Sequence, residues 1–196
     1  MKHTTIVMKI SKLLLCTGFA LLVVGCATPA RVDQMQVASP MAARTAMANS
    51  PMRETIAIRD VTGGKDTNPM WVSNVSSSDF ERALEASLKD AGLLSPNRQG
   101  SKFVLIASLA KLDQPMFGAS MTVTASVRYS LLERATNLEV FGRSLVTPYT
   151  AAWNDAFIGS ERLKLANEGA VRTNIQQLID ALVSMKVPGV VGQVGK

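Results

Sequence analysis

The residue types that most often serve as nucleophiles, general bases or metal ligands are scarce in this chain of 196 residues. Its one histidine is His3, and its two cysteines are Cys16 and Cys26. Cys26 ends a nearly continuous apolar run that begins at Leu13 and follows two lysines. A positive segment followed by an apolar run of this length is typical of a secretory signal. The run is shorter than the about 20 apolar residues of a membrane-spanning helix; a buried N-terminal core helix is the alternative.

The end of the apolar run, Val23-Val24-Gly25-Cys26, resembles the lipobox of bacterial lipoproteins. The resemblance implies that the thiol of Cys26 receives a diacylglycerol, that the chain is cleaved between Gly25 and Cys26, and that the freed amine is acylated. Residues 1–25 would then be a lipoprotein signal peptide. The mature protein would be attached to a membrane through the lipid on Cys26.

Cleavage would leave a mature chain that lacks most of the usual enzymatic side chains. His3 and Cys16 would be removed, and the sulfur of Cys26 would become a thioether. Without histidine there is no imidazole general base and no triad that contains one. Without a free thiol there is no thiolate nucleophile, no disulfide and no ordinary structural zinc site. We therefore expect no catalytic residue, no metal and no cofactor.

Two further features bear on function. Carboxylate chemistry stays open as an alternative, with Asp60, Asp66 or Asp155 as its candidates in a glycan hydrolase or an acyltransferase of the cell envelope. The chain shows no hexapeptide repeats of the kind found in β-helical acyltransferases.

About half of the formal net charge of +6 comes from three lysines of the signal, and no basic run follows Cys26. We therefore expect no nucleic-acid partner.

Two tryptophans are the candidate contacts with a partner. Trp71 lies in the loop "TGGKDTNPMWVSNVSS", and Trp153 lies in "YTAAWNDAFIG" before the last predicted helix. If both loops lie at one end of a sheet, the indole rings could face a partner. The alternative, favoured by the usual burial of large aromatic residues, is that each ring closes the end of the core.

Residues 26–52 are predicted to be the lipidated cysteine and a flexible tether. The segment is rich in Ala, Met, Pro and Ser and has no sustained period of 2 or 3.6 residues. As a random coil it would reach roughly 30 Å. A short helix through "MAARTAMA" is the local alternative.

Residues 53–186 carry the pattern of a folded domain, and residues 187–196 are predicted to be a flexible tail. Alternating residues predict a strand from Glu54 to Val61. A helix follows in "SDFERALEASLKDAG", with a capping box of Ser78 and Glu81 and a stop at Gly92. Strands are predicted over residues 102–113, 121–133 and 138–150, and a long helix over residues 160–185.

The predicted order β-α-β-β-β-α indicates an α+β fold. The β-α-β opening favours a parallel pair of strands with a right-handed crossover, and the later strands form a meander. In the third strand apolar and polar residues alternate, which predicts one face packed on the core and one face in water. The expected architecture is a two-layer sandwich, with a four-stranded mixed sheet and two helices on one face.

Together, the lipobox and this order resemble small outer-membrane lipoproteins of Gram-negative bacteria, loosely of the YajG and LptE kind. The segments "TNPMWVSNVSSSDFERALEASLKDAGLL", "SMTVTASVRYSLLE" and "SERLKLANEGAVRTNIQQLI" are most similar to a group of proteobacterial lipoproteins. The resemblance covers residues 10–185 and concerns export and fold rather than chemistry. Ala27 stands after the cysteine, where an Asp would imply retention in the inner membrane, so the resemblance implies the outer membrane.

We therefore expect a periplasmic lipoprotein anchored in the outer membrane, with a non-enzymatic domain that binds or assembles envelope components. Its partners would be the membrane, through the lipid, and an envelope protein or glycolipid. Two alternatives stay open. One is an envelope enzyme that uses the carboxylates named above, and the other is a regulator of peptidoglycan synthesis that reaches its target through the tether.

Overall fold

The computed structural model describes residues 27–68 and 72–185. Its elements are α1 (Val32–Met35), α2 (Met41–Ala48), β1 (Ile56–Thr62), α3 (Ser77–Asp90), β2 (Phe103–Asp113), β3 (Met121–Glu133), β4 (Glu139–Ala151) and α4 (Gly159–Val183). The predicted signal peptide, Cys26 and the tail predicted for residues 187–196 lie outside the described residues.

The four strands form one mixed sheet in the order β1-β2-β3-β4. β1 pairs with β2 in parallel, and the β2–β3 and β3–β4 pairs are antiparallel, as predicted. The alternation in β3 has the predicted outcome, because every second side chain is buried. These buried residues are Met121, Val123, Ala125, Val127, Tyr129 and Leu131.

α3 and α4 pack on the same apolar face of the sheet, which confirms the α+β fold. The stripe of α3 consists of Phe80, Leu84 and Leu88, and all three side chains are fully buried. In α4 the fully buried stripe comprises Val171, Ile175, Leu178 and Leu182. Both stripes belong to one continuous core with the inner face of the sheet. In the part of the chain described here, no helix is long and apolar enough to cross a membrane.

The N-terminus of α3 differs from the predicted capping box. Ser76, not Ser78, is the N-cap, and its hydroxyl oxygen accepts a hydrogen bond from the backbone N–H of Asp79 at 3.1 Å. The earlier start places Val75 just before the cap and Phe80 in the first turn, and both side chains are buried in the core. This arrangement matches a hydrophobic staple. A start at Ser78 would have no such apolar pair, which explains the choice among three consecutive serines.

The prediction of a flexible tether is wrong for residues 27–52. This stretch, the N-terminal segment, contains α1 and α2 and contributes buried side chains to the main core, namely Ala30, Met35, Val37, Met47 and Met52. Local periodicity could not reveal this, because the buried residues lie mostly in irregular backbone. Their burial depends on a groove formed by distant helices, since α1 contacts both α3 and α4.

Hydrogen bonds show the direction in which the N-terminal segment crosses the helical layer. Near its start, the backbone N–H of Ala30 donates to the carbonyl oxygen of Asn74, just before α3. Further along, the N–H of Val37 donates to the hydroxyl of Ser87 at 3.0 Å. The N–H of Ser39 then donates to the carboxylate of Asp90, the last residue of α3. The segment therefore runs from the beginning of α3 to its end.

Candidate functional site at the loop end of the sheet

Three loops meet at one end of the sheet. The parallel strands β1 and β2 end there, β3 begins there, and β4 ends there. The loops are residues 63–76, 114–120 and 152–158, and α3 and α4 begin directly after the first and the last of them. We call this region the loop end of the sheet. The β3–β4 turn, which contains Leu138, lies at the opposite end.

The N-terminal segment starts at the loop end. The ammonium group of Lys164 donates to the hydroxyl oxygen of Thr28 at 3.0 Å, and it also pairs with Glu161 at 2.6 Å. Lys164 lies five residues into α4, which corresponds to about 7.5 Å along the helix axis. Ala27, the residue after Cys26, is buried. The chain therefore reaches Cys26 from a position fixed on the domain, close to the beginning of α4.

An ion pair attaches this part of the N-terminal segment to α4. The carboxylate of Glu168 accepts hydrogen bonds from the backbone N–H of Arg31 at 2.9 Å, from its Nε at 3.0 Å and from its Nη2 at 3.1 Å. The side chain of Glu168 is only 2% exposed, whereas that of Arg31 is about half exposed. The hydrogen bond to Glu168 raises the pKa of Arg31. The guanidinium thus satisfies a buried carboxylate while one side of it stays in water.

An amide network joins two of the loops to α4. The Nε2 of Gln114, at the start of the second loop, donates to the carbonyl oxygen of Ser73 and to the Oδ1 of Asn167, both at 2.8 Å. The Nδ2 of Asn167 donates to the same carbonyl at 2.8 Å. Asn167 is fully buried, so these bonds satisfy a polar group that water does not reach.

Arg162 holds the second and third loops together. Its Nη1 donates to the carbonyl oxygens of Ala156 and Phe157 at 2.6 and 3.0 Å, and its Nη2 donates to that of Gly118 at 3.3 Å. A guanidinium offers several donors in a fixed plane and can bridge separate carbonyls in this way. The two loops therefore have a fixed position relative to each other and to α4.

The same two loops expose five large apolar side chains. These residues, which we call the apolar rim, are between 55% and 93% exposed: Met116, Phe117, Trp153, Phe157 and Ile158. The rings of Trp153 and Phe157 meet edge to face with centroids 6.4 Å apart. Single exposed apolar residues are common on protein surfaces, whereas five on two linked loops are an unusual concentration.

The structure describes one of the two tryptophans that were predicted as partner contacts. Trp153 is 60% exposed, so the expectation that it closes the end of the core is wrong. Trp71 lies outside the described residues, although its loop is at the loop end. Sequence reasoning missed the other four rim residues. Their signal was the presence of "MF" and "FI" within segments rich in Gly, Pro, Ser and Asp, where turns are usually polar.

Two of the three candidate carboxylates, Asp60 and Asp155, lie too far apart to act as a catalytic pair, and Asp66 lies in the first loop. Asp60 lies on β1 and Asp155 follows β4, so the two are at opposite edges of the sheet. Three strand spacings separate these edges, about 14 Å, whereas paired catalytic carboxylates of glycosidases lie roughly 5–9.5 Å apart. Asp155 also accepts a hydrogen bond from the backbone N–H of Ala152 at 2.7 Å. Across residues 27–68 and 72–185, no cluster of acidic, His or Cys side chains could hold a metal ion.

A second buried polar network lies between α4 and the sheet. The hydroxyl of Tyr129 donates to the Oδ1 of Asn174 at 2.9 Å, and the Nδ2 of Asn174 donates to the hydroxyl oxygen of Thr147 at 3.0 Å. The hydroxyl of Thr147 donates to the carbonyl oxygen of Ala170 at 3.0 Å. Burial raises the pKa of Tyr129 well above its ordinary value. These groups satisfy one another, so the network fixes the packing of α4 on the sheet.

A groove lies away from the loop end. It has a volume of about 770 Å³ and runs between the N-terminal segment and the end of α3. Three anionic and three cationic side chains line it: Asp33, Glu54, Asp90, Arg44, Arg53 and Lys89. Some of them pair with each other, as Arg44 does with Asp90 at 3.4 Å. The mixture of charges favours neither an anionic nor a cationic ligand.

Known proteins are similar to this chain in fold only. No protein-family model matches it, and no curated protein matches it. Among solved structures, protein XCC0632 of Xanthomonas campestris, described under the family model DUF330, has a TM-score of 0.51 at 11% identity, over 69% of this chain and 88% of that one.

Two lipoproteins superpose less well. The minor lipoprotein of Acinetobacter baumannii gives a TM-score of 0.45 at 14% identity, over 68% of this chain and 93% of that one. Lipoprotein GNA1162 of Neisseria meningitidis gives 0.38 at 12% identity, over 66% and 98%. At such identities a likeness says nothing about activity, and the similarity to the Xanthomonas protein supports the α+β fold.

Proposed function

We propose that this chain is a lipoprotein of the bacterial outer membrane, anchored on the periplasmic face through lipid on Cys26. Its α+β domain is a non-enzymatic module that binds an envelope protein or glycolipid and helps to assemble or maintain the envelope. The sequence supports the anchor, because an export signal ends at a lipobox-like cysteine and Ala27 follows it.

One structural observation carries the proposal, namely the attachment of the residues after Cys26 to the domain. Ala27 is buried, Thr28 bonds to Lys164, and Arg31 pairs with the buried Glu168. A lipid on Cys26 would therefore hold the domain itself at the membrane surface, with the loop end nearest to the bilayer. Such placement suits a module that acts on components of the same membrane.

The same observation speaks against the regulator that acts at a distance. That alternative requires the roughly 30 Å reach of a free tether, whereas the N-terminal segment is packed into the core. The enzyme alternative loses one candidate pair of carboxylates, since Asp60 and Asp155 stand at opposite edges of the sheet. Binding without catalysis is the function that the described residues support best.

Substitution of Cys26 tests the anchor. Cys26→Ser should leave an unprocessed precursor without palmitate label, because a serine hydroxyl is a far weaker nucleophile than a thiolate and cannot form the thioether. Native protein should incorporate palmitate and fractionate with the outer membrane, since more than one acyl chain gives stable anchoring. Cys16→Ser is the matched control and should be processed normally. Native protein recovered soluble and unlabelled would contradict the proposal.

Purification from detergent-solubilised envelopes tests the binding role. The lipidated native chain should recover the same envelope protein or glycolipid repeatedly, and Cys26→Ser should not. Turnover of an acyl or glycan substrate by the purified chain, abolished by Asp155→Asn or Asp60→Asn, would instead support the enzyme alternative.

A further inference from the structure

We infer that the apolar rim is a membrane-contacting surface, which inserts into the interface of the bilayer that holds the lipid on Cys26. The inference rests on the proposed function, and it adds a second and independent contact between the protein and the bilayer. It concerns the five residues of the rim, of which the sequence analysis identified only Trp153.

The first argument is the place where the chain leaves the domain. Thr28 is bonded to Lys164, in the second turn of α4, and Ala30 is bonded to Asn74, in the first loop. Phe157 and Ile158 directly precede α4. Cys26 is two residues before Thr28, which is at most about 7 Å of extended chain. A lipid on Cys26 would therefore enter the bilayer beside the rim and would bring the loop end to the membrane surface.

The second argument is the composition of the rim. Trp153 and Phe157 form an edge-to-face pair, and Phe117 and Met116 are among the most exposed side chains described. Tryptophan is enriched at the membrane–water interface because its apolar ring carries a polar N–H, and Trp and Phe are typical of the apolar face of segments that bind there. A rim that faced water permanently would leave an apolar patch without a function.

The third argument is that the rim is held rigid. Arg162 bonds to the carbonyl oxygens of Ala156, Phe157 and Gly118, which fixes the two loops relative to each other. Gln114 anchors the base of the second loop to Asn167. A loop backbone that is already held in place loses little conformational freedom when its side chains insert. The rim would thus add a second contact to an attachment that the acyl chains on Cys26 already make stable.

Fluorescence of Trp153 in brominated lipid tests this inference. The full-length lipidated chain is reconstituted into vesicles of phosphatidylethanolamine and phosphatidylglycerol, with or without bromine near the top of the acyl chains. The emission of Trp153 is obtained by subtracting the spectrum of Trp153→Phe from that of the native chain. The subtraction removes the contribution of Trp71, which therefore need not be substituted. Because the ring would lie at the interface, we expect its emission to shift to the blue and to lose about half or more of its intensity in brominated vesicles.

A tryptophan at the opposite end of the sheet is the matched control. Leu138 is also exposed, so Leu138→Trp in the Trp153→Phe background adds an indole ring in the β3–β4 turn. We expect brominated lipid to leave the emission of this ring nearly unchanged. The double substitution Phe117→Ser and Phe157→Ser should reduce the quenching of Trp153, whereas Leu138→Ser should not.

Flotation of the vesicles separates failure of the anchor from failure of the rim. If the chain floats with the vesicles but Trp153 is quenched no more than the ring at position 138, the membrane contact is wrong and the lipid anchor stands. The same result would follow if the rim bound a protein or a second copy of the chain. If the chain carries no lipid and does not float, both proposals are overturned.

Discussion

Substitution of Met35 tests whether the N-terminal segment is part of the folded domain. Met35 lies at the end of α1 and is fully buried in the core between α3 and α4. Loss of its burial alone removes roughly 1.5–3 kcal/mol. A cavity that cannot collapse raises the cost of such a methionine-to-alanine change to about 2–5 kcal/mol. We therefore expect Met35→Ala to lower the free energy of unfolding by about 2 kcal/mol or more.

The segment could respond to the cavity by leaving its groove, and the assay should detect this. Urea unfolding followed by circular dichroism gives the global stability, and hydrogen exchange gives the local stability of single amides. The backbone N–H groups of Arg31, Val37 and Ser39 are the reporters, because each donates to a side chain of α3 or α4. They should be protected in the native protein and less protected in Met35→Ala.

Met41→Ala is the control, because Met41 lies in the same segment and is 71% exposed. Its effect should stay within about 0.5 kcal/mol, as for most surface substitutions. Equal unfolding midpoints for the two variants, together with unprotected reporter amides in the native protein, would refute the packed segment and restore the tether.

Three further substitutions test the polar contacts of the fold. Glu168→Gln should lower the free energy of unfolding by roughly 1.5–3 kcal/mol, because a buried carboxylate loses charged hydrogen bonds. The control Glu85→Gln, at an exposed position, should change it by less than about 0.5 kcal/mol in the same urea assay. Burial raises the pKa of Tyr129, so its contribution to stability is fully present below about pH 10, the ordinary tyrosine pKa, and is lost as the pH rises above it. Tyr129→Phe should weaken this fall in the melting temperature at alkaline pH, and an equally steep fall in both proteins would contradict the assignment. Ser76→Ala should destabilise the protein by about 1 kcal/mol through loss of the N-cap, and Ser78→Ala should have a much smaller effect; the reverse order would mean that α3 begins at Ser78.

The elements of the sheet could be predicted because their pattern is local. In β3 six alternate residues are apolar, and the period of 2 fixes which side chains face the core. The stripes of α3 and α4 are equally regular, and the β-α-β order favours the parallel pairing of β1 with β2. Each of these signals lies within a few residues, so tertiary contacts had little to override.

The N-terminal segment could not be predicted for the opposite reason. Met35 and Met47 are buried, but they are separated by irregular backbone and have no common period. Their burial depends on a groove that exists only after α3 and α4 have packed on the sheet. The ion pair between Arg31 and Glu168 joins residues 137 positions apart, a distance at which spacing carries no information.

Trp153 and the rest of the rim illustrate a different limit. Tryptophan is on average a highly buried residue type, so the sequence alone predicts that Trp153 packs into the core. Its exposure follows from the position of the loop, which projects beyond the sheet and is held there by Arg162. The membrane contact proposed for the rim rests on the attachment of Thr28 to α4, which only the three-dimensional structure shows.

Arg31 and Glu168 are paired in space but 137 positions apart in sequence, and this has a consequence for the order of events during synthesis. α4 is the last described element of the chain, and the groove for the N-terminal segment is incomplete without it. While the chain emerges, the part of the segment around Arg31 therefore has no partner on α4. The export and the modification proposed for Cys26 would thus not compete with docking of the segment on α4. The segment can dock completely only when α4 has been made, so its docking is a late step of folding.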